Sequence, residues 1–416
     1  MTPRRRLAGR AGWGLADQAL SSLTNFGLGI VVARNVSAHD FGGFSLAFAA
    51  FLIVLGVSRA ISTEPLLIRH STTGPEDWRE AAGRATGSSL VTGSLAGLGC
   101  LVIAVLAGGA LGGGFAALAV VLPGLLLQDS WRFAFIAKGE PRSTFLLDLA
   151  WTAGLVPAML VIDQLVHQTS AVVPILVWGL TATAAGVLGT IRGGVLPSPM
   201  HAPAWVRRHR DLVPRFVLEA LTGVGANQAT IFVVGAFAGL AGAGSLRAGQ
   251  LLLGPMQVLF MAVTLIAIPE AVRLLAQGRD RLLRASILMT VGMSSTVLAW
   301  TALVSLLPDA LGRALLGDSW PDAQHVILPL GIALAALASG AGAGIGLRAL
   351  ADARGSLRAR AYDALANVVL GTTGAVLGGA VGAAWGIAAG AVIGASGYWW
   401  VFRRSGRRVA EPVVLP

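Results

Sequence analysis

Carboxylates, amides and guanidinium groups set inside long apolar runs are the side chains of this sequence with chemistry to offer. The run from Trp13 to Arg34 carries Asp17, Ser21, Thr24 and Asn25. At about 100° per residue these four share one side of a helix. A second run, from Arg215 to Leu240, carries Glu219, Thr222, Asn227 and Thr230. A shift of 202 residues superposes Asp17 on Glu219 and Asn25 on Asn227. A carboxylate inside a bilayer is costly, so it faces protein or a wet cavity, where it can take up a proton or a sodium ion. Asp17 and Glu219 are therefore candidates for ion coupling, with hydrogen bonding between helices as the alternative role.

Arginine supplies the opposite charge. Arg34 ends the first run, Arg59 sits near the inner end of the second, and Arg132 lies in the fourth beside Gln128 and Asp129. Asp148 falls in the fifth run, Arg247 opens the eighth, Glu270 ends it, and Asp363 opens the eleventh. Two arrangements are open. In one, Asp129 and Arg132 neutralise each other at i,i+3 while Arg34 and Arg247 snorkel to the outer interface. In the other, Arg34, Arg59, Arg132 and Arg247 line a cavity with Asn25, Asn227 and Gln128 and hold an anionic head group. Asp129 and Asp148 are then structural charge partners. Guanidinium suits phosphate because it stays charged and offers paired donors.

The elements that must position these groups are transmembrane helices. Hydrophobic residues make up 55% of the 416 and charged residues only 12%, with a mean hydropathy of +0.73. A soluble domain carries about 25% charged residues. Apolar runs fall at 14–34, 41–63, 87–107, 115–137, 144–163 and 171–191, and again at 216–239, 246–272, 284–306, 324–348, 361–380 and 383–402. About 20 apolar residues at about 1.5 Å each cover a hydrocarbon core of about 30 Å. The expected fold is an all-α polytopic membrane protein of about 12 helices in two six-helix lobes, residues 1–191 and 215–416, joined by a cytoplasmic linker at 192–214.

The net charge of +11 follows from membrane orientation rather than from nucleic acid as a partner. All but five of the 31 Lys and Arg fall in alternate loops, the exceptions being Arg34, Arg59, Arg132, Arg247 and Arg313. Positively charged loops stay inside, so both termini are expected in the cytoplasm and the first run is read as an uncleaved helix. Trp205 and the basic residues after it, Arg207 to Arg210, are expected along the inner interface. Trp131, Trp151 and Trp320 are possible sugar contacts, or interfacial anchors.

Hydrolytic and metal chemistry find no support. The sole lysine, Lys138, is followed by Gly139-Glu140 rather than by a phosphate-loop Ser or Thr, and the six histidines show no ligand spacing. No cofactor, no metal and no enzymatic activity are expected. Cys100, alone in an apolar run, reads as a small buried hydrophobe. Gly378, Gly382, Gly386, Gly390 and Gly394 form a small-residue stripe on the last helix, suited to close packing within the chain or between two copies of it.

Three stretches carry a resemblance. Val32-Ala33-Arg34-Asn35-Val36-Ser37-Ala38-His39-Asp40-Phe41-Gly42-Gly43 resembles the turn between helices one and two of Wzx-type polysaccharide flippases. Leu315-Leu316-Gly317-Asp318-Ser319-Trp320 is similar to that family's outer loop before helix ten. Gln128-Asp129-Ser130-Trp131-Arg132-Phe133, with Gly139-Glu140-Pro141-Arg142, resembles helix four and its inner turn in actinobacterial members. The family belongs to the multidrug/oligosaccharidyl-lipid/polysaccharide (MOP) exporter superfamily. The resemblance implies two six-helix lobes around a cavity lined by helices one, two, seven and eight. It also implies alternating access in a bacterial cytoplasmic membrane, and an undecaprenyl-pyrophosphate-linked oligosaccharide as substrate. Membrane lipids and polysaccharide-assembly proteins would be its partners. A cation-coupled multidrug extruder of the same fold is the first alternative, favoured by Asp17. An integral-membrane glycosyltransferase or polymerase is the second, disfavoured by short outer loops.

Overall fold

The computed structural model describes residues 3–165, 170–350 and 352–409. The side chain of Asn227, and those of the basic residues before Ala11 and after Ser405, lie outside the described ones. All elements among the described residues are helices. In chain order they are α1 (Pro3–Asn35), α2 (Ala38–Ser58), α3 (Glu64–His70), α4 (Pro75–Ala107), α5 (Gly109–Ala137), α6 (Pro141–Leu165) and α7 (Val172–Gly193). There follow α8 (Ala202–Arg208), α9 (Val213–Ala220), α10 (Ala226–Ala276), α11 (Arg279–Ser305), α12 (Asp309–Leu316), α13 (Trp320–Ala349) and α14 (Ala353–Val409).

Among the described residues, nine helical stretches are long and apolar enough to cross a membrane. Two of these contain a turn without a loop. α10 leaves helical geometry at Gly239, and α14 does so at Gly378 and Gly379. Gly239 and Gly379 have φ of 74° and 59°, a left-handed backbone that glycine adopts without a Cβ penalty. Counted as pairs, and with α1 added, the stretches correspond to the twelve runs of the sequence. The split between the last two runs therefore falls on the Gly378-Gly379 break.

The chain divides into two compact units. Met1–Gln228 with Leu315–Asp318 forms the first, and Ala229–Ala314 with Ser319–Pro416 the second. Within the first, α5 is the hub: α2, α4, α6 and α7 all pack on it, and α1 lies on α6. Glycine makes the close approaches. A Cβ on Gly93 would lie 2.7 Å from the Pro123 Cα, and one on Gly97 2.8 Å from the Ala119 carbonyl oxygen. Within the second unit, α13 takes the central position between α11 and α14. Each unit is thus built around the fourth of its long helices.

The glycine stripe of the last helix is used inside the chain. Gly382 faces Gly374, Gly386 faces the Leu370 carbonyl, and a Cβ on Gly390 would lie 2.8 Å from the Asn367 Cα. The two limbs of α14 therefore pack backbone to backbone, which only small residues permit.

Local sequence explains the other boundaries. Ser37 caps α2: its Oγ accepts from the Asp40 backbone N–H at 3.1 Å and donates to the Asp40 carboxylate at 2.5 Å. Between α2 and α3 the backbone opens into a π-turn at Arg59–Thr63, and a second π-turn at Leu221–Gly225 follows α9. Such turns insert one residue into a helix and commonly mark functional positions.

Four tryptophans depart from expectation. Trp205 is not an interfacial anchor. It is buried, and its indole donates to the Ile61 carbonyl at 3.0 Å inside a cluster with Leu66, Trp78, Trp131 and Phe135. Trp131, Trp151 and Trp320 are equally buried and present no face to a sugar. Their indole N–H groups go to Thr190 Oγ1 at 2.9 Å, the Trp178 carbonyl at 3.3 Å and Asp309 Oδ1 at 3.0 Å. A buried indole N–H is costly to leave unpaired, and each of these four has an acceptor.

Candidate functional site

Four helices of the first unit bring charge into its interior. α1 contributes Asp17, the start of the π-turn after α2 contributes Arg59, α5 contributes Gln128, Asp129 and Arg132, and α6 contributes Asp148. The α5 residues share a face because 128 and 132 are one turn apart. The π-turn fixes where Arg59 stands relative to α5.

Arg132 sits at the centre. Its Nη2 donates to Asp17 Oδ2 at 2.8 Å, and its Nε lies 3.0 Å from Asp148 Oδ1. Asp129 is farther off, at 3.7 Å. The i,i+3 pairing expected of Asp129 and Arg132 is therefore the weakest contact of the set. Asp129 instead takes a two-pronged bond from Arg59, with Nε to Oδ2 at 2.9 Å and Nη2 to Oδ1 at 2.6 Å. This planar fork-to-carboxylate match is the strongest geometry available to such a pair. The Phe133 ring lies 4.9 Å below the Arg59 guanidinium carbon. Gln128 Nε2 donates to Asp148 Oδ1 at 2.8 Å.

The wall around this network is polar too. Thr24 and Thr152 share a hydrogen bond of 2.8 Å between α1 and α6, and the Thr152 hydroxyl also reaches the Asp148 carbonyl at 2.8 Å. Thr144 donates to the Arg132 carbonyl at 3.2 Å. Neither Thr144 nor Thr152 stands out in isolation. Together with Asp148 they recur every four residues along α6, and that period was the available signal.

Burial decides what the network can do. The side chains of Arg132, Asp17 and Asp148 are 11%, 8% and 1% exposed, whereas that of Arg59 is 34% exposed. Three carboxylates face two guanidiniums, so full ionisation leaves one negative charge. This first-unit cluster is not the arginine-lined anion cavity that its residue types suggested, because its guanidiniums are committed to aspartates. Two carboxylate oxygens, Asp17 Oδ1 and Asp148 Oδ2, are buried without a hydrogen-bond partner. Arg132 already occupies the place between the carboxylates that a metal cation would take. Among the described residues no group of three or more His, Cys, Asp or Glu is arranged to hold a metal ion. Both oxygens are therefore open to a further donor.

The other candidates are not members of this network. Asn25 spends its amide on the Ser21 carbonyl at 2.9 Å, within its own helix. Arg34 is exposed at the end of α1. The Arg34 carbonyl meets Gly317, where a Cβ would sit 2.6 Å from the oxygen. Two of the stretches that carry the family resemblance thus touch one another. Glu219 is exposed on α9, two residues before the second π-turn, so the two acids related by the 202-residue shift stand in unlike surroundings. Asn227 lies outside the described side chains. Arg247 is half-buried on the second limb of α10, in the second unit.

No family model and no curated protein matches the sequence. Solved structures do. A multidrug resistance MATE family transporter of the MOP superfamily, in an inward-facing conformation, is similar with a TM-score of 0.67 at 14% identity over 96% of this chain and 100% of that one. The lipid II flippase MurJ, in an inward closed conformation, is similar with a TM-score of 0.64 at 12% identity, over 95% of this chain and 89% of that one. A MOP superfamily transporter from Pyrococcus furiosus, noted for reversed polarity of its binding pocket, gives a TM-score of 0.54 at 14% identity over 97% and 96% of the two chains. The chain has the fold that these transporters share.

Proposed function

We propose that the chain is a proton-coupled transporter of the MOP superfamily that moves a polyprenyl-pyrophosphate-linked oligosaccharide across the cytoplasmic membrane by alternating access. The observation that carries the coupling is the buried network of Asp17, Arg59, Asp129, Arg132 and Asp148. It joins four helices through ionic contacts that one proton would rearrange. Protonating Asp17 or Asp148 cancels the surplus negative charge and weakens the hold of Arg132 on that helix. Releasing the proton restores it. An element with two such packings is what alternating access requires.

The substrate class rests on three supports. The flippase resemblance runs through Arg34, Asp40 and Gly317. A lipid flippase is among the structures of like fold. Arg34 and the open edge of Arg59 remain able to meet a phosphate group. Both termini are read as cytoplasmic, from the arginines of the alternate loops. Polysaccharide-assembly proteins would supply and receive the substrate.

The second reading, a cation-coupled multidrug exporter, is favoured by Asp17 in the first helix. Proteoliposomes separate the two. One arm contains a fluorescent polyprenyl-pyrophosphate oligosaccharide, the other a cationic dye. The flippase reading expects the lipid to change leaflet in wild type and to slow at least tenfold in Arg34→Ala. Dye extrusion without lipid movement would move the protein to the drug-export branch.

A further inference from the structure

The second unit holds a cleft unrelated to the charge network. It has a volume of about 970 Å³ and runs between α11, α13 and the last limb of α14. This is at the upper end of the ~300–1,000 Å³ typical of ligand sites. Its walls are apolar along most of their length, with Leu298, Ile332, Ala336 and Val392 among them. Three of the polar side chains in those walls are already satisfied. Ser294 donates to the Ala335 carbonyl at 2.9 Å, the Trp399 indole to the Ser339 carbonyl at 2.9 Å, and Ser396 to the Val392 carbonyl at 2.8 Å. The cleft therefore asks for hydrocarbon.

One end is different. Trp400 and Arg404 line both this cleft and an adjoining niche of about 220 Å³. Arg354 and Arg358 also line that niche. Asp352 is there too, but its carboxylate accepts from the Gly355 backbone N–H at 2.8 Å and from Ser405 Oγ. Three guanidiniums against one engaged carboxylate leave the niche cationic. The Arg404 guanidinium lies 5.3 Å from the centre of the Trp400 ring, whose indole is otherwise exposed. Leu298 and Val392 are about half exposed at the mouth of the cleft, so the surrounding membrane reaches it directly.

We propose that this cleft and niche form a binding site for an anionic membrane phospholipid. An acyl chain lies along the apolar walls, and the phosphate sits among Arg354, Arg358 and Arg404. Charge complementarity selects the lipid: a net-negative head group balances the niche, whereas a zwitterionic one brings its own cation into it. Basic pockets between transmembrane helices bind acidic head groups by the same physics. None of its residues belongs to the network of the first unit.

Native mass spectrometry of the delipidated full chain tests this. Phosphatidylglycerol, phosphatidylcholine and inorganic phosphate are added separately. The wild type is expected to retain one phosphatidylglycerol in preference to phosphatidylcholine, and inorganic phosphate is expected not to displace it. The triple variant Arg354→Gln/Arg358→Gln/Arg404→Gln should weaken phosphatidylglycerol by at least about tenfold while leaving phosphatidylcholine unchanged. Ser396→Trp, an exposed position that fills the cleft, should weaken both lipids. Thermal unfolding in lipid-free detergent confirms that each variant folds, and a misfolded triple variant is replaced by Arg404→Gln alone. Equal retention of the two lipids by the wild type overturns the proposal, as does unchanged phosphatidylglycerol binding by the folded arginine variant. Displacement by inorganic phosphate would make the niche an anion site without a lipid, and so would overturn it too.

Discussion

Removing Arg132 should unsettle the first unit more than any other single change in its interior. Arg132→Met keeps an unbranched apolar stem and deletes the cation. Asp17 and Asp148 then lose their ion-pair partner, and Asp129 keeps only Arg59. Breaking a buried ion pair by removing one partner costs about 3–5 kcal/mol, because the remaining charge has neither water nor counter-ion. For a unit of this size, at roughly 2–4 °C per kcal/mol, the midpoint of thermal unfolding should fall by roughly 6–20 °C. The loss should be smaller at low pH, where the orphaned carboxylates can protonate. A second change sharpens the test. Asp148→Asn added to Arg132→Met removes one of the uncompensated charges while keeping an amide near Gln128, and should recover roughly half of the loss. Detergent-solubilised protein melted with a fluorescent reporter of unfolding gives both numbers. If Arg132→Met melts within about a degree of wild type, the ionic contacts are not what holds α1, α5 and α6 together. If the double variant is simply the sum of two losses, the carboxylate and the guanidinium are not coupled.

Other outcomes follow from the same structure. Gly317→Ala places a Cβ at φ 55° and 2.6 Å from the Arg34 carbonyl oxygen, and should cost roughly 1–3 kcal/mol, read as a lowered melting midpoint. Gly390→Leu pushes a side chain into the Asn367 backbone and should abolish folded, monodisperse protein, whereas an exposed control, Val369→Leu, should not. His209 is buried, and burial, with Arg69, His70 and Arg208 nearby, holds its imidazole below the usual value. The folded state then binds fewer protons than the unfolded one, so stability should fall as pH drops through and below about 6.5, and His209→Gln should flatten that part of the melting-versus-pH curve.

Much of this architecture could be read from residue types. The hydropathy runs located the helices, and the near-absence of a loop before the last run foreshadowed the break at Gly378-Gly379. Asp17, Gln128, Asp129, Arg132 and Asp148 were conspicuous because charge inside an apolar helix is expensive. Their partnerships were not legible. Arg59 and Asp129 are 70 residues apart, and Arg132 and Asp17 are 115 apart, so only packing could pair them. The nearest charge in sequence, Asp129 beside Arg132, turned out to be a minor contact, because α5 aims Asp129 at the π-turn instead. Composition also misled about tryptophan. Average behaviour places it at an interface, whereas in this chain glycines such as Gly189 and Gly312 open spaces that Trp131 and Trp320 fill.

A proton on the first-unit network is proposed to drive transport. Its most direct test is leaflet translocation of the labelled polyprenyl-pyrophosphate oligosaccharide in proteoliposomes, with and without an imposed pH gradient. Wild type, Asp148→Asn and Asp17→Asn would be compared, each first shown to fold. The gradient should accelerate wild type and have no effect on either variant, while slow gradient-independent movement persists. Full acceleration in both variants, or a wild type indifferent to the gradient, would contradict it.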